Sequence, residues 1–282
     1  MLKPGVHHAR LGLFFMAIAG LLMAPPAAVA EVIRIGGTGS GLGTIRLFTA
    51  AFEKKHPGIK VKVLPSIGSS GAIKAVSQGA LDIGLISRQF KTEELKLGLK
   101  VVDYAKTPFV FVTGKKVNIT GLSHAELVKI YKGEMKSWPN GDRVRVVLRP
   151  AADADTIIVR DISSEMSAAM DAALSREGML MALTNQEALD IIEKTPGSIG
   201  FSSLAQIKTE NRSLKMLSYN GVLPNTKSLA NGTYPLSLKL SLITRPDRSS
   251  AVRHFIDFVR SHQGSMILEK SGNVPIGSKG RE

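Results

Sequence analysis

The sequence predicts an α/β protein built from two doubly wound, Rossmann-like lobes. Three observations carry that expectation. Short apolar runs alternate with amphipathic helical patterns from Glu31 onward, the glycine- and hydroxyl-rich turns fall at strand-to-helix seams, and the alternation halts after residue 113 and then restarts.

Taken in order, VIRIGG is a short strand ending in glycines, and GLGTIRLFTAAFEKKHPG places Ile45, Phe48 and Phe52 on one helical face before a His56-Pro57-Gly58 stop. IKVKVLP alternates with period two. SSGAIKAVSQGA reads as a helix with Ser69 or Ser70 as its N-cap. LDIGLIS is apolar enough for a central parallel strand, KTEELKLG is helical, and TPFVFVTG at 107–114 is a further strand. The second series runs through the helix SHAELVKIYKGE, the strand RVRVVLRP, the helices of TIIVRDISSEMSAAMDAALS and NQEALDIIEK, and the strand SIGFSSL. An Asn- and Gly-rich loop then leads into the strand LSLKLSLITR and a final amphipathic helix running to Gly272. The expected division is 31–113 for the first lobe, 114–235 for the second, and 236–282 for a return to the first. A single large sheet is the alternative.

Residues 1–30 stand apart. Lys3 and Arg10 precede the apolar run LGLFFMAIAGLLMA, and Ala28-Val29-Ala30 fits a small-residue cleavage site, so the expectation is a cleaved secretory signal peptide and a periplasmic protein without stable membrane insertion. The chain has no cysteine, which removes disulfides and a lipid anchor on an N-terminal Cys. The first thirty residues hold two basic groups and no acid, so the remainder keeps +12 of the +14 formal charge. That field favours anionic ligands. Nucleic acid is disfavoured, because aromatics make up only 5% and no basic run exceeds three residues.

Four seams lie where open α/β sheets bind ligands, beyond the strands' C-terminal ends. GGTGSGLGT offers Thr38, Gly39 and Ser40 at a helix N-terminus, whose unpaired N–H groups suit an anion. No Gly-Lys-Ser/Thr follows, so it is not a nucleotide P-loop, and Leu42 stands where a dinucleotide fingerprint needs glycine. The second seam offers Ser69, Ser70 and Gly71. The third offers Ser87 and Arg88, the arginine serving either an oxyanion or a surface pair with Glu93 or Glu94. The fourth is LRPAADADT, with Arg149 leaving a strand and Asp153 and Asp155 opening a helix.

Catalytic and metal chemistry find no support. Gly-x-Ser-x-Gly and Ser-x-x-Lys are lacking, the histidines at 56, 124, 254 and 262 have no metal-ligand spacing, and Asp153 with Asp155 lacks further oxygen ligands nearby. No enzyme, cofactor or metal is expected. Trp138 reads as a loop anchor.

The stretches GTGS, IGSSGAIKAVSQGALDIGLISRQFKTEEL, TGLSHAELVKIYKGEMKSWPNG, PGSIGFSSL, NGTYPLSLKLSLIT and FIDFVRSHQGSMILEKSGNVPI follow one another in this order. Together they resemble the phosphate-type periplasmic substrate-binding proteins of ABC transporters. The resemblance implies two lobes joined by two crossing strands, a monomer that delivers its ligand to an ABC permease, and a tetrahedral oxyanion held between the lobes. It points to Thr38, Ser40, Ser69, Ser70, Ser87, Arg88 and Arg149 as its binding residues.

One departure stands out. Where the family usually shows Ser-Gly-Thr, this chain has Asp153-Ala154-Asp155. A like-charge pair at about 4 Å and an effective dielectric near 20 costs on the order of 4 kcal/mol, about a thousandfold in affinity. The carboxylates could point to solvent as plain caps, or one could accept a hydrogen bond from a protonated oxyanion. Otherwise the ligand differs, or the chain is an extracytoplasmic interaction or sensory module.

Overall fold

The structure, a computed structural model, describes residues 1–2 and 31–277. The expected signal peptide lies almost wholly outside the described residues.

The first lobe begins with β1 (Glu31–Gly37), α1 (Gly39–Lys55), β2 (Ile59–Ser66), α2 (Gly68–Ser77), β3 (Ile83–Ile86) and the single turn α3 (Thr92–Leu95). β1 pairs in parallel with β2 on one side and β3 on the other. All three strands therefore send their C-terminal ends to one edge. Period-two patterning turns Ile33 and Ile35 inward, where the buried Phe48 and Phe52 of α1 meet them.

β4 (Lys100–Gly114) then runs fifteen residues. Its first part, through Pro108, pairs antiparallel with a later strand of the first lobe; from Phe109 onward its partners lie in the second. One strand thus serves both lobes and makes the first crossing. The sequence shows only its apolar half, TPFVFVTG, as strand.

The second lobe comprises β5 (Gly121–Leu122), α4 (His124–Lys132), β6 (Arg145–Leu148), α5 (Ala154–Arg160), α6 (Ser164–Leu174), β7 (Leu180–Met181), α7 (Asn185–Lys194), β8 (Ser198–Ser203), α8 (Leu204–Thr209), β9 (Leu214–Met216), β10 (Ser218–Tyr219) and α9 (Thr226–Ala230). β6 is parallel to both β7 and β8. Trp138 is buried, and its indole N–H donates to the Gly197 carbonyl at 2.8 Å, which ties the 133–143 loop to the start of β8.

The second crossing follows Tyr234, whose hydroxyl donates to the Phe109 carbonyl at 2.7 Å. β11 (Ser237–Thr244) then inserts antiparallel between β3 and β4. α10 (Ser250–Val259), α11 (His262–Lys270) and β12 (Val274–Pro275) complete the first lobe. The strand order is β2-β1-β3-β11-β4-β8-β6-β7, continuous only because β4 belongs to both halves. Phe255 and Phe258 of α10 stack edge-on against Phe52. The single terminal helix expected from sequence is two helices: Ser261 accepts the Gly264 N–H and restarts the chain as α11.

Candidate functional site

The first-lobe half of the site is a hydroxyl cluster. Thr38 follows β1, Ser69 sits in the first turn of α2, and Ser87 follows β3, so three neighbouring strand ends supply one group each. All three are buried. Ser87 Oγ donates to Thr38 Oγ1 at 3.2 Å and lies 3.5 Å from Ser69 Oγ, which accepts the Ser87 N–H at 3.1 Å. Ser69 therefore does not cap its helix, nor does Ser70; the N-cap position is Ile67.

Apart from the single turn α3, the helix starts separate into two groups. α4 through α11 each carry a Ser, Thr, Asp or Asn whose side chain accepts a first-turn N–H. Thr38 and Ile67, at the N-cap positions of α1 and α2, give no side-chain cap; the Gly39 N–H of α1 is taken by Asn185 Oδ1, so α2 is the open helix start beside the buried hydroxyls. Helix N-termini carry unpaired N–H groups and partial positive charge, so the open start of α2 is suited to an anion.

The second-lobe half starts at the end of β6. Arg149 is 2% exposed, and its Nη2 donates to Asp153 Oδ2 at 2.5 Å while Nε and Nη1 are buried without a hydrogen-bond partner. Asp153 caps α5, its Oδ1 accepting the Asp155 N–H at 3.1 Å. Asp155 is also 2% exposed: its Oδ2 accepts from Asn185 Nδ2 at 2.6 Å, and its Oδ1 is buried and unpartnered. Burial pushes the Asp155 carboxyl up to about 7, with the Asp153 charge adding to the rise and Arg149, Asn185 and Ser40 opposing it. Asp155 is thus no solvent-facing cap, which removes that reading for this residue.

Ser40 is buried and accepts from Asn185 Nδ2 at 3.0 Å, while the Gly39 N–H donates to Asn185 Oδ1 at 3.2 Å. Asn185, which the sequence reading missed, is the residue that joins these neighbours of Thr38 to Asp155. Its only sequence signal is a polar residue opening a helix after a short strand.

Arg88 and Ser70 stand at the rim. A cleft of about 300 Å³ opens there, with Ser69, Ser70, Arg88, Asp153, Ala154 and Thr184 in its walls. Both terminal nitrogens of Arg88 are engaged, Nη1 with Glu94 at 2.6 Å and Nη2 with Glu94 at 2.7 Å and Ser70 at 2.9 Å. The Glu94 pairing is the surface alternative that the sequence left open. A side chain at Gly71 would meet Ile67 at 3.1 Å, so this glycine accommodates its own loop. Among the described residues no group of His, Asp and Glu could hold a metal, and no helix is long and apolar enough to cross a membrane.

Two α/β lobes, two crossings and a polar seam between them define the architecture of the type II periplasmic binding proteins. Residues 24–263 match the PBP superfamily domain, and the chain belongs to that superfamily. It is 24% identical over 253 residues to the phosphate-binding protein PstS of Borreliella burgdorferi, covering 87% of this chain and 90% of the relative. It is 28% identical to protein SphX of Synechococcus elongatus, with 99% and 88% covered. A Clostridium perfringens chain described as a phosphate ABC transporter substrate-binding protein, with bound phosphate, superposes with a TM-score of 0.76 at 22% identity, covering 87% of this chain and all of that one. An ABC-type phosphate transport receptor from Vibrio cholerae gives 0.62 at 20% identity, covering 86% and 99%. At these identities the superpositions establish the fold.

Proposed function

We propose that the protein is a periplasmic solute-binding protein that captures phosphate, or a closely related oxyanion, and presents it to an ABC permease. The observation that carries this reading is the coincidence of the open α2 start with the Thr38–Ser69–Ser87 hydroxyls and the two unpartnered Arg149 nitrogens. The names of the PstS relatives support the same ligand.

In this mechanism the excess of basic charge steers an anion to the seam. Hydroxyls, backbone N–H groups and Arg149 replace its water shell. Closure is favoured because donors from both lobes reach the ligand together only when the lobes meet, so binding shifts an open–closed equilibrium toward the form a permease recognises. We place the first lobe at 31–113, the second at 114–235 and the return at 236–282, and the working unit is a monomer.

A second reading rests on the acidic pair, which makes this seam less positive than a hydroxyl-lined one. Under it the fold is kept as an interaction or sensory module that binds another ligand or none. Isothermal titration of the mature protein against phosphate, arsenate, sulfate and molybdate decides between them. Heat with phosphate at tens of micromolar protein supports capture; none with any oxyanion overturns it.

A further inference from the structure

Both lobes touch one side chain. Asn185 is 5% exposed at the start of α7, and its amide makes three contacts: Oδ1 accepts the Gly39 N–H at 3.2 Å, and Nδ2 donates to Ser40 Oγ at 3.0 Å and to Asp155 Oδ2 at 2.6 Å. Its neighbour Gln186 donates from Nε2 to the Gly39 carbonyl at 3.3 Å and to Glu210 Oε1 at 2.6 Å. Gly39 is thus held through both its N–H and its C=O by two consecutive amides from the other lobe.

The fit depends on glycine. A Cβ at residue 39 would lie 2.6 Å from Gln186 Oε1 and 2.8 Å from both Asn185 Cβ and Asn185 Oδ1, too close for real atoms. The same amide fixes one oxygen of Asp155 and leaves the other, Oδ1, buried with no partner. A carboxamide suits this place because it offers an acceptor to the helix N–H and donors to a hydroxyl and a carboxylate, with no charge to bury.

We infer that Asn185 is a positioning residue that clasps the two lobes through Gly39 and orients Asp155 for the ligand. The clasp part concerns lobe contact; the Asp155 part rests on the oxyanion reading proposed above. Asn185 takes the Gly39 N–H and Ser40 Oγ for the clasp and leaves the Thr38–Ser69–Ser87 hydroxyls to the ligand. An aspartate here would face Asp155 with a second negative charge, and an alanine would leave the Gly39 N–H and Asp155 Oδ2 without their partner.

The test uses the mature protein with Asn185→Ala, Gly39→Ala and the double variant, each also carrying Lys74→Cys and Ala172→Cys for spin labels on α2 and α6. The chain's lack of native cysteine makes the labelling specific. Circular dichroism first checks that each variant folds. The expected result is a label-to-label distribution shifted to longer distances in both single variants, with no further shift in the double. Phosphate affinity should fall about tenfold in Asn185→Ala and little further in the double variant, since the two changes break one contact. A distribution unchanged from wild type in Asn185→Ala, or additive effects in the double variant, overturns the clasp. Loss of phosphate binding by the wild type itself would overturn the oxyanion reading instead, and the distances would still decide the clasp.

Discussion

Buried Arg149 and half-buried Asp153, four residues apart, form an ion pair, Nη2 to Oδ2 at 2.5 Å, and this pairing decides how the acidic residue acts on the site. The Asp153 carboxylate takes one of the arginine's nitrogens and leaves Nε and Nη1 without a partner. The arginine charge is largely neutralised by its own lobe, so its directed N–H groups, more than its net charge, are available to an anion. Arg149→Ala should weaken phosphate by about 3 kcal/mol, on the order of a hundredfold, as two charge-assisted hydrogen bonds are lost. Lys116→Ala, on the exposed surface, should leave affinity within twofold. Equal losses in titration calorimetry would remove Arg149 from the site.

Asp153→Ser separates the charge of that residue from its capping role. Serine can still accept the Asp155 N–H at the start of α5, so the helix keeps its cap. The freed Nη2 gives the arginine a third donor and one less acid beside it. Phosphate affinity should rise, by about tenfold, while the thermal midpoint changes by only a few degrees. Weaker binding in the serine variant would mean that Asp153 is needed to hold Arg149 in place.

Asp155 contributes one part of the pH dependence. Its folded carboxyl is raised by burial from an ordinary 3.8 to about 7, so between those values the folded form binds a proton that the unfolded form has lost. Stability from this group is therefore full below the lower value and falls as pH rises through the upper one. Asp82, held low by Arg34, and Glu94, held low by Arg88, act in the opposite direction and lose their contribution as pH falls. A wild-type curve alone mixes the two. The difference between Asp155→Asn and wild type isolates Asp155: nearly zero at pH 4, and growing in favour of the asparagine form toward pH 8. A difference that is flat across this range in thermal melts would show that Asp155 titrates normally.

The same residue tests ligand choice. Under the proposed reading, ionised Asp155, with Oδ1 buried and unpartnered, would accept a hydrogen bond from an oxyanion that carries a proton and repel one that does not. Asp155→Thr should then weaken phosphate and admit sulfate. Tighter phosphate binding with no sulfate uptake would show instead that the carboxylate only opposes the ligand.

Much of this arrangement is written locally. The seams at Thr38, Ser69, Ser87 and Arg149 follow from strand ends and helix starts, because glycine and hydroxyl residues must cluster where the chain turns. Contacts between distant segments are not written that way. Asn185 meets Gly39 across 146 residues, and nothing in NQEALDIIEK distinguishes a lobe-joining amide from a helix opener. The first half of β4 escapes because Lys100, Asp103 and Lys106 interrupt its apolar pattern; Asp103 is satisfied only by Lys239 and Ser241 of β11, which arrive much later in the chain. Ser69 looks like a cap by position, yet its hydroxyl turns to Ser87, a choice made by the packing of α2 on β3.

Arg88 should prove a structural residue. Both of its terminal nitrogens are engaged, and its hydrogen bonds hold the Glu94 carboxyl below the usual range. Arg88→Ala should lower the thermal midpoint more at pH 7 than in acid low enough to protonate Glu94 in folded and unfolded forms alike. Phosphate affinity should change less than threefold. A loss as large as that of Arg149→Ala would place Arg88 on the ligand.

Gly37 controls where Thr38 points. It has φ of +147°, a region that other residues seldom enter, and a Cβ there would sit 2.2 Å from the Leu85 carbonyl oxygen. That carbonyl accepts the Thr38 N–H at 3.0 Å, so β1 and β3 are locked at the level of the hydroxyl cluster. Gly37→Ala must push the strands apart or twist the backbone, at a cost of about 3 kcal/mol. The thermal midpoint should fall by roughly 6–12 °C for a chain of this size, and phosphate binding should weaken because Thr38 and Ser87 no longer meet. Gly58→Ala is the control, since nothing lies within 4 Å of its Cβ position. A Gly37→Ala protein as stable as Gly58→Ala would show that the tight β1–β3 approach does not set the site.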